Sequence, residues 1–187
     1  MTTLDGVNRT LSPDVLVIAD AQRAVAVAGI MGGTGSEVTP RTTNVLLESA
    51  LFDPVTIRRT GRQLGLASES SYRFERGVDP LGVEAASARA AALIVECAGG
   101  REVGVQAVGA EPAKRPAIRL DVARMNRWLG TAFETPAIRT TLARLGCRVA
   151  SSEARGPLHV TPPSFRQDLR HEVDLYEEIA RMVGYDR

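Results

Sequence analysis

The stretch GIMGGTGSEV, residues Gly29 to Val38, places four glycines in seven positions behind a run of small apolar residues. Its reading decides between two kinds of fold. A phosphate loop needs GxxxxGK followed by Ser or Thr, so that the lysine reaches the outer phosphates and the hydroxyl holds magnesium. This stretch has no lysine, and Lys114 is the only one in the chain. A dinucleotide fingerprint needs GxGxxG entering a helix, with an acidic residue about 20 positions further on. Here the glycines run into SEVTPRTT, where Pro40 and the paired threonines disfavour a helix. Both nucleotide-binding folds are excluded for this stretch. What remains is geometric: Gly29, Gly32 and Gly33 strip side chains from a strand end. The stretch either turns tightly between strands or lets a flat ligand lie against bare backbone.

Working outward, VLVIAD (Val15 to Asp20), AVAVAGI (Ala24 to Ile30) and NVLLESA (Asn44 to Ala50) are short apolar runs broken by turn residues, and predict buried strands. Asp53 and Pro54 supply an N-cap and a pre-set first helical residue, and Gly65 stops that helix after Leu64. Asp79 and Pro80 predict the same start for a second helix, running through GVEAASARAAALIVECA to Gly99 and Gly100. In GAEPAKRPAIRL, Pro112 and Pro116 bracket an extended seam that divides the chain into domains 1–112 and 113–187. Beyond it, Thr135 and Pro136 open a helix with Ile138, Leu142 and Leu145 on one face, closed by Gly146. LHVTPP is a brief strand, and a last helix carries Val173, Tyr176, Ile179 or Ala180, and Val183 up to Gly184. The expectation is an α+β chain: a mixed strand and helix domain, then a small winged-helix-like, mainly helical domain with three helices and one strand pair.

With 187 residues, 44% hydrophobic and 24% charged, the chain is in the globular range and needs no metal or disulfide staple. Cys97 and Cys147 sit in apolar contexts without CxxC spacing, which predicts reduced core thiols of a cytoplasmic protein. No stretch approaches the roughly 20 apolar residues of a membrane span, so no membrane partner is expected. Charge is uneven: ten Arg against thirteen Asp plus Glu up to Pro112, then thirteen Lys plus Arg against nine. The basic second part reads first as an ordinary solvated surface, and is also compatible with weak nucleic-acid contact. Both histidines, His159 and His171, fall in the second domain, and no Ser-His-Asp or Cys-His constellation is recognisable in the sequence. Near the end, Asp168, Asp174, Glu177 and Glu178 crowd into eleven residues, with Asp174, Glu177 and Glu178 at i+3 and i+4 spacing. Such oxygens suit Mg²⁺, but by pattern alone the better reading is acidic residues in a first helical turn, favoured by the helix dipole.

Four long motifs in order, AGIMGG, TNVLLESALFDPVTIRRTGRQLGL, SESSYRFERGVDP and VTPPSFRQDLRHEVDLYEEIARMVGYD, closely resemble the β subunits of bacterial phenylalanyl-tRNA synthetases. The resemblance covers the editing domain and the small helical domain behind it, and implies a piece of a larger subunit. It implies a parent that attaches Phe to tRNA(Phe) using ATP, working in the cytoplasm as an (αβ)₂ heterotetramer. ATP is used by that holoenzyme and is not bound by this piece. Tyrosine is phenylalanine plus a hydroxyl, and an apolar pocket rejects such an isostere only about a hundredfold. A second site that hydrogen-bonds the phenol discriminates far better and can hydrolyse the mischarged tyrosyl-tRNA.

By this resemblance Glu48 is the phenol-reading carboxylate, although by itself it also reads as a strand-end glutamate turned to solvent. Gly29 and Gly32 match the glycines lining the pocket. Ser68 and Ser70 match another wall, where many relatives carry Thr and Ala. Hydrolysis is expected to use a positioned water and the substrate's own groups, with further pocket residues supplied upstream of TTLDG. The charged stretch YRFERGVDP is either a contact for tRNA or the α subunit, or an ion-paired loop that caps the long helix through Asp79. Asp168, Asp174, Glu177 and Glu178 match carboxylates assigned to a Mg²⁺ shared with the α subunit, with weak occupancy or none in its absence. The alternative is a non-catalytic scaffold that binds RNA and docks a partner subunit.

Overall fold

A computed structural model describes residues 1–151 and 156–185, which fall into two compact units, Met1–Ala107 and Val108–Arg187. In the first, β1 (Val17–Ala19), β2 (Ala24–Val27) and β3 (Met31–Gly32) form an antiparallel sheet in that order, with Val17 opposite Val27 and Val27 opposite Met31. Gly29 therefore lies in the hairpin joining β2 to β3, Gly32 ends β3, and Gly33 and Gly35 lie beyond it. Gly29 takes the left-handed conformation, φ +66°, at the reversal. Val15, Val27, Ile30, Ile57 and Leu66 form the core, with Phe52 and Phe74 packed against it.

Helix α1 (Pro54–Leu64) starts and stops where its punctuation predicts: Asp53 Oδ1 accepts from the Thr56 amide at 2.7 Å, and Gly65 adopts φ +58°. A short helix α2 (Glu69–Phe74) follows, and then α3 (Val83–Ala98). Three expectations are corrected here. Asn44 to Ala50 forms no strand and joins no sheet, and Leu46 is 99% exposed, because no strand among the described residues pairs with it. Asp79 does not cap α3: it accepts from the Leu81 amide at 3.0 Å in a preceding turn, and the helix begins at Val83 behind Gly82. Cys97 is exposed: no side chain of α3 is fully buried, and its C-terminal part, where Cys97 lies, is exposed.

In the second unit, β4 (Ile118–Leu120), β5 (Arg148–Ser151) and β6 (Leu158–Thr161) form an antiparallel sheet in the order β4-β6-β5. Three helices accompany it: α4 (Val122–Leu129), α5 (Thr135–Arg144) and α6 (Glu172–Val183). The sheet thus holds three strands where a pair is expected. Ile138 and Leu142 of α5, Leu120, Leu158 and Val160 of the sheet, Met125, and Leu175, Tyr176 and Ile179 of α6 share one core. On α6, Tyr176 and Ile179 are buried as expected, while Val173 is exposed and Leu175 joins the buried face. Cys147 is buried, as its context predicts. The architecture is α+β. Among the described residues no helix is long and apolar enough to cross a membrane.

Candidate functional site

A pocket of about 650 Å³ opens in the first unit among the β2–β3 hairpin, the extended segment before α1, and α2 and α3. Gly29, Gly32, Glu48, Phe52, Ser70 and Phe74 are among its lining residues. A Cβ on Gly29 would lie 2.9 Å from Phe52, 3.0 Å from Ile57 and 3.3 Å from Phe74. The bare backbone at Gly29 thus admits the protein's own aromatic pair, whose ring centroids stand 5.0 Å apart. At Gly32 a Cβ would meet Leu4 at 3.2 Å. Gly33 belongs to the packing behind the hairpin, where a Cβ would meet the Val25 carbonyl at 2.8 Å.

Glu48 lies on the pocket wall, exposed at its surface yet close enough to protein that partial desolvation raises its carboxyl above the usual range. Among the described residues no group donates to it. Such a carboxylate gains from a hydroxyl donor entering the pocket, because water solvates it incompletely.

The two serines do more than form a wall. Ser68 is the N-cap of α2: its Oγ accepts from the Ser71 amide at 3.0 Å and donates to the Ile30 carbonyl at 2.6 Å. Ser71 Oγ accepts in turn from the Ser68 amide at 2.9 Å, which completes a capping box. Ser70 Oγ donates to the Gly29 carbonyl at 2.9 Å. Both hydroxyls tie α2 to the hairpin, and Ser70 alone of the two lines the pocket. Ser68→Ala is expected to cost about 1–2 kcal/mol, from a lost cap and an unsatisfied carbonyl. A urea melt of the chain reads that loss as a lower midpoint with unchanged slope.

Phe52 and Phe74 are site residues that sequence reasoning missed. A signal for Phe52 existed: it precedes the N-cap Asp53, and Ile57 lies four residues past that cap, the two positions of a hydrophobic staple. The charged stretch Tyr72 to Pro80 begins within α2 and is largely self-paired. Arg76 lies 3.5 Å over the Tyr72 ring and pairs with Glu75, and Arg73 pairs with Glu69.

In the second unit, Asp168 and Glu178 are brought together by Arg166. Its guanidinium donates to Asp168 at 2.6–3.2 Å and to both oxygens of Glu178 at 2.9 and 3.0 Å. Arg181 adds a bond to Glu178 at 2.6 Å, and these cations hold its carboxyl down to about 2. Asp174 accepts from the Arg170 and His171 amides at the start of α6, at 2.7 and 2.6 Å, while Glu177 is exposed. No group of three or more Asp, Glu, His or Cys among the described residues is placed to hold a metal ion. Mg²⁺ wants near-octahedral oxygen coordination, and these four carboxylates do not fit it, because a guanidinium fills the space between two of them.

The chain belongs to the B3/4 domain family, whose model matches residues 1–99, and a tRNA synthetase B5 domain matches residues 118–185. Over its whole length it is similar to a fragment of the phenylalanine-tRNA ligase beta subunit. The relative from Moorella thermoacetica is 51% identical across all of this chain, and those from Halalkalibacterium halodurans and Geobacter sulfurreducens are each 48% identical across all of it. The chain spans 23% of the length of each of these relatives.

Proposed function

We propose that this chain is the Glu48-bearing part of the editing domain of a phenylalanine-tRNA ligase β subunit, with the small helical domain that follows it, the two meeting near Pro112. The parent enzyme attaches Phe to tRNA(Phe) with ATP and Mg²⁺ in the cytoplasm, as an (αβ)₂ assembly. This region removes tyrosine from mischarged tRNA(Phe) and docks the α subunit. The observation that carries the reading is an unpaired, partly desolvated carboxylate on the wall of a pocket floored by glycine and flanked by two phenylalanines. Glu48 accepts the phenol hydrogen bond, Gly29 and Gly32 line the pocket beside Phe52 and Phe74, and Ser70 ties its wall to the hairpin. A water, oriented by the substrate's own groups, attacks the aminoacyl ester.

A second reading, a non-catalytic RNA-binding and docking scaffold, is favoured by the apolar side chains left outside, among them Leu46, Val103 and Val105. A deacylation assay with tyrosyl-tRNA(Phe), run beside a tRNA-binding titration on this chain, separates the two. Hydrolysis above the uncatalysed rate supports editing. Binding without hydrolysis, persisting when the preceding part of the parent subunit is restored, supports the scaffold.

A further inference from the structure

The acidic cluster at α6 contains its own cation. Arg166 uses Nε, Nη1 and Nη2 on Asp168 and Glu178, and its side chain is 23% exposed against 8% for Glu178. Its backbone is fixed as well: Arg115 donates to the carbonyls of Arg166 and Leu169 at 2.6 and 2.7 Å. Both oxygens of Glu178 are already committed, one to Arg166 and the other to Arg166 and Arg181. A divalent ion at these carboxylates would have to displace a bidentate guanidinium, the carboxylate pairing of best geometric match. It would also stand beside two like charges in a part-buried site, where repulsion is poorly screened.

We propose that Arg166 is the resident cation of this cluster, and that Asp168, Arg166 and Glu178 form a structural clamp that locks the segment before α6 onto that helix and is closed to divalent metal. Asp174 belongs to the same design as the backbone cap of α6, and Glu177 takes no part.

The test follows the melting temperature of the 187-residue chain and, by electron paramagnetic resonance without ATP, Mn²⁺ binding both to that chain and to the full-length β subunit assembled with its α partner. The wild-type chain is expected to melt at the same temperature in Mg²⁺ as in chelator. Arg166→Met, which leaves two carboxylates facing each other, is expected to lower the Tm by roughly 10 °C or more and to gain Mn²⁺ binding. Asp168→Asn in the same background is expected to abolish that gain. Arg166→Lys keeps the charge but loses the fork, so it should melt between the two and still exclude Mn²⁺. Should Arg166→Met fail to fold, wild type and Arg166→Lys decide the matter between them. One Mn²⁺ bound by the wild-type chain or by the wild-type assembly and lost in Asp168→Asn overturns the proposal, as does an Arg166→Met chain that melts like wild type.

Discussion

Replacing Gly29 with alanine is expected to destabilise the first unit by about 2–5 kcal/mol, through two independent costs. At φ +66° an L side chain pays about 1–2 kcal/mol for the left-handed conformation. The added methyl also meets Phe52 at 2.9 Å and Ile57 at 3.0 Å. Overpacking of this kind costs about 1–3 kcal/mol. The rings cannot yield freely, because Ile57 is fully buried and Phe52 and Phe74 pack against the same core. In a unit of this size the loss is read as a Tm lower by roughly 10–20 °C. The same substitution pushes the two aromatic rings toward the pocket, so ligand binding falls together with stability. Gly65→Ala is the control: it has a similar φ, +58°, but nothing within 4 Å of the added carbon. It should show only the conformational part, and an equal loss at both positions would mean that the contacts at Gly29 carry no energy.

How far the sequence reaches depends on how local each signal is. Helix α1 is legible because Asp53, Pro54 and Gly65 are punctuation within one segment, and each acts through a neighbour three or four residues away. Helix α2 is not legible, because its capping box closes with Ser71 in place of Glu or Gln, so SESS reads as loop. Asn44 to Ala50 shows the opposite failure. Its apolar run satisfies the strand pattern, but a strand exists only with a partner, and pairing is set by residues far away in sequence. Cys97 and α3 fail likewise, since an apolar helix face states that it can be buried, not what covers it.

The site divides along the same line. Gly29, Gly32, Glu48 and Ser70 are found as pocket residues because the ordered motifs place them. Their physical roles come from contacts that spacing does not encode. Gly29 answers to Phe52 and Phe74, more than twenty positions away, and Ser68 answers to the Ile30 carbonyl. The acidic cluster is the sharpest case. Carboxylates at i+3 and i+4 read by pattern as a helix start and by the resemblance as metal ligands, and Arg166, twelve residues before Glu178, lies outside that periodicity. The fold adds the guanidinium between Asp168 and Glu178 that the acidic pattern omits.

The largest functional effect is expected at Glu48. A site that hydrogen-bonds a substrate hydroxyl can reject the analogue lacking it by about 10⁴–10⁵, because the buried partner is otherwise left unpaired. Glu48 is only partly desolvated in this chain, which already raises its carboxyl. Enclosure by the rest of the parent's editing domain and by the substrate would deepen the penalty for an unpaired carboxylate. Glu48→Gln keeps the size and an acceptor oxygen but removes the charge, so it should retain part of the preference. Glu48→Ala removes the acceptor and should lose most of it.

The most direct measurement is the ratio of deacylation rates for tyrosyl-tRNA(Phe) and phenylalanyl-tRNA(Phe), taken in the full-length parent subunit assembled with its α partner. The expected result is a strong preference for the tyrosyl ester, reduced by at least about a hundredfold in Glu48→Ala and by less in Glu48→Gln, with tRNA binding unchanged. A Glu48→Ala enzyme that keeps the wild-type ratio would contradict the assignment of this pocket.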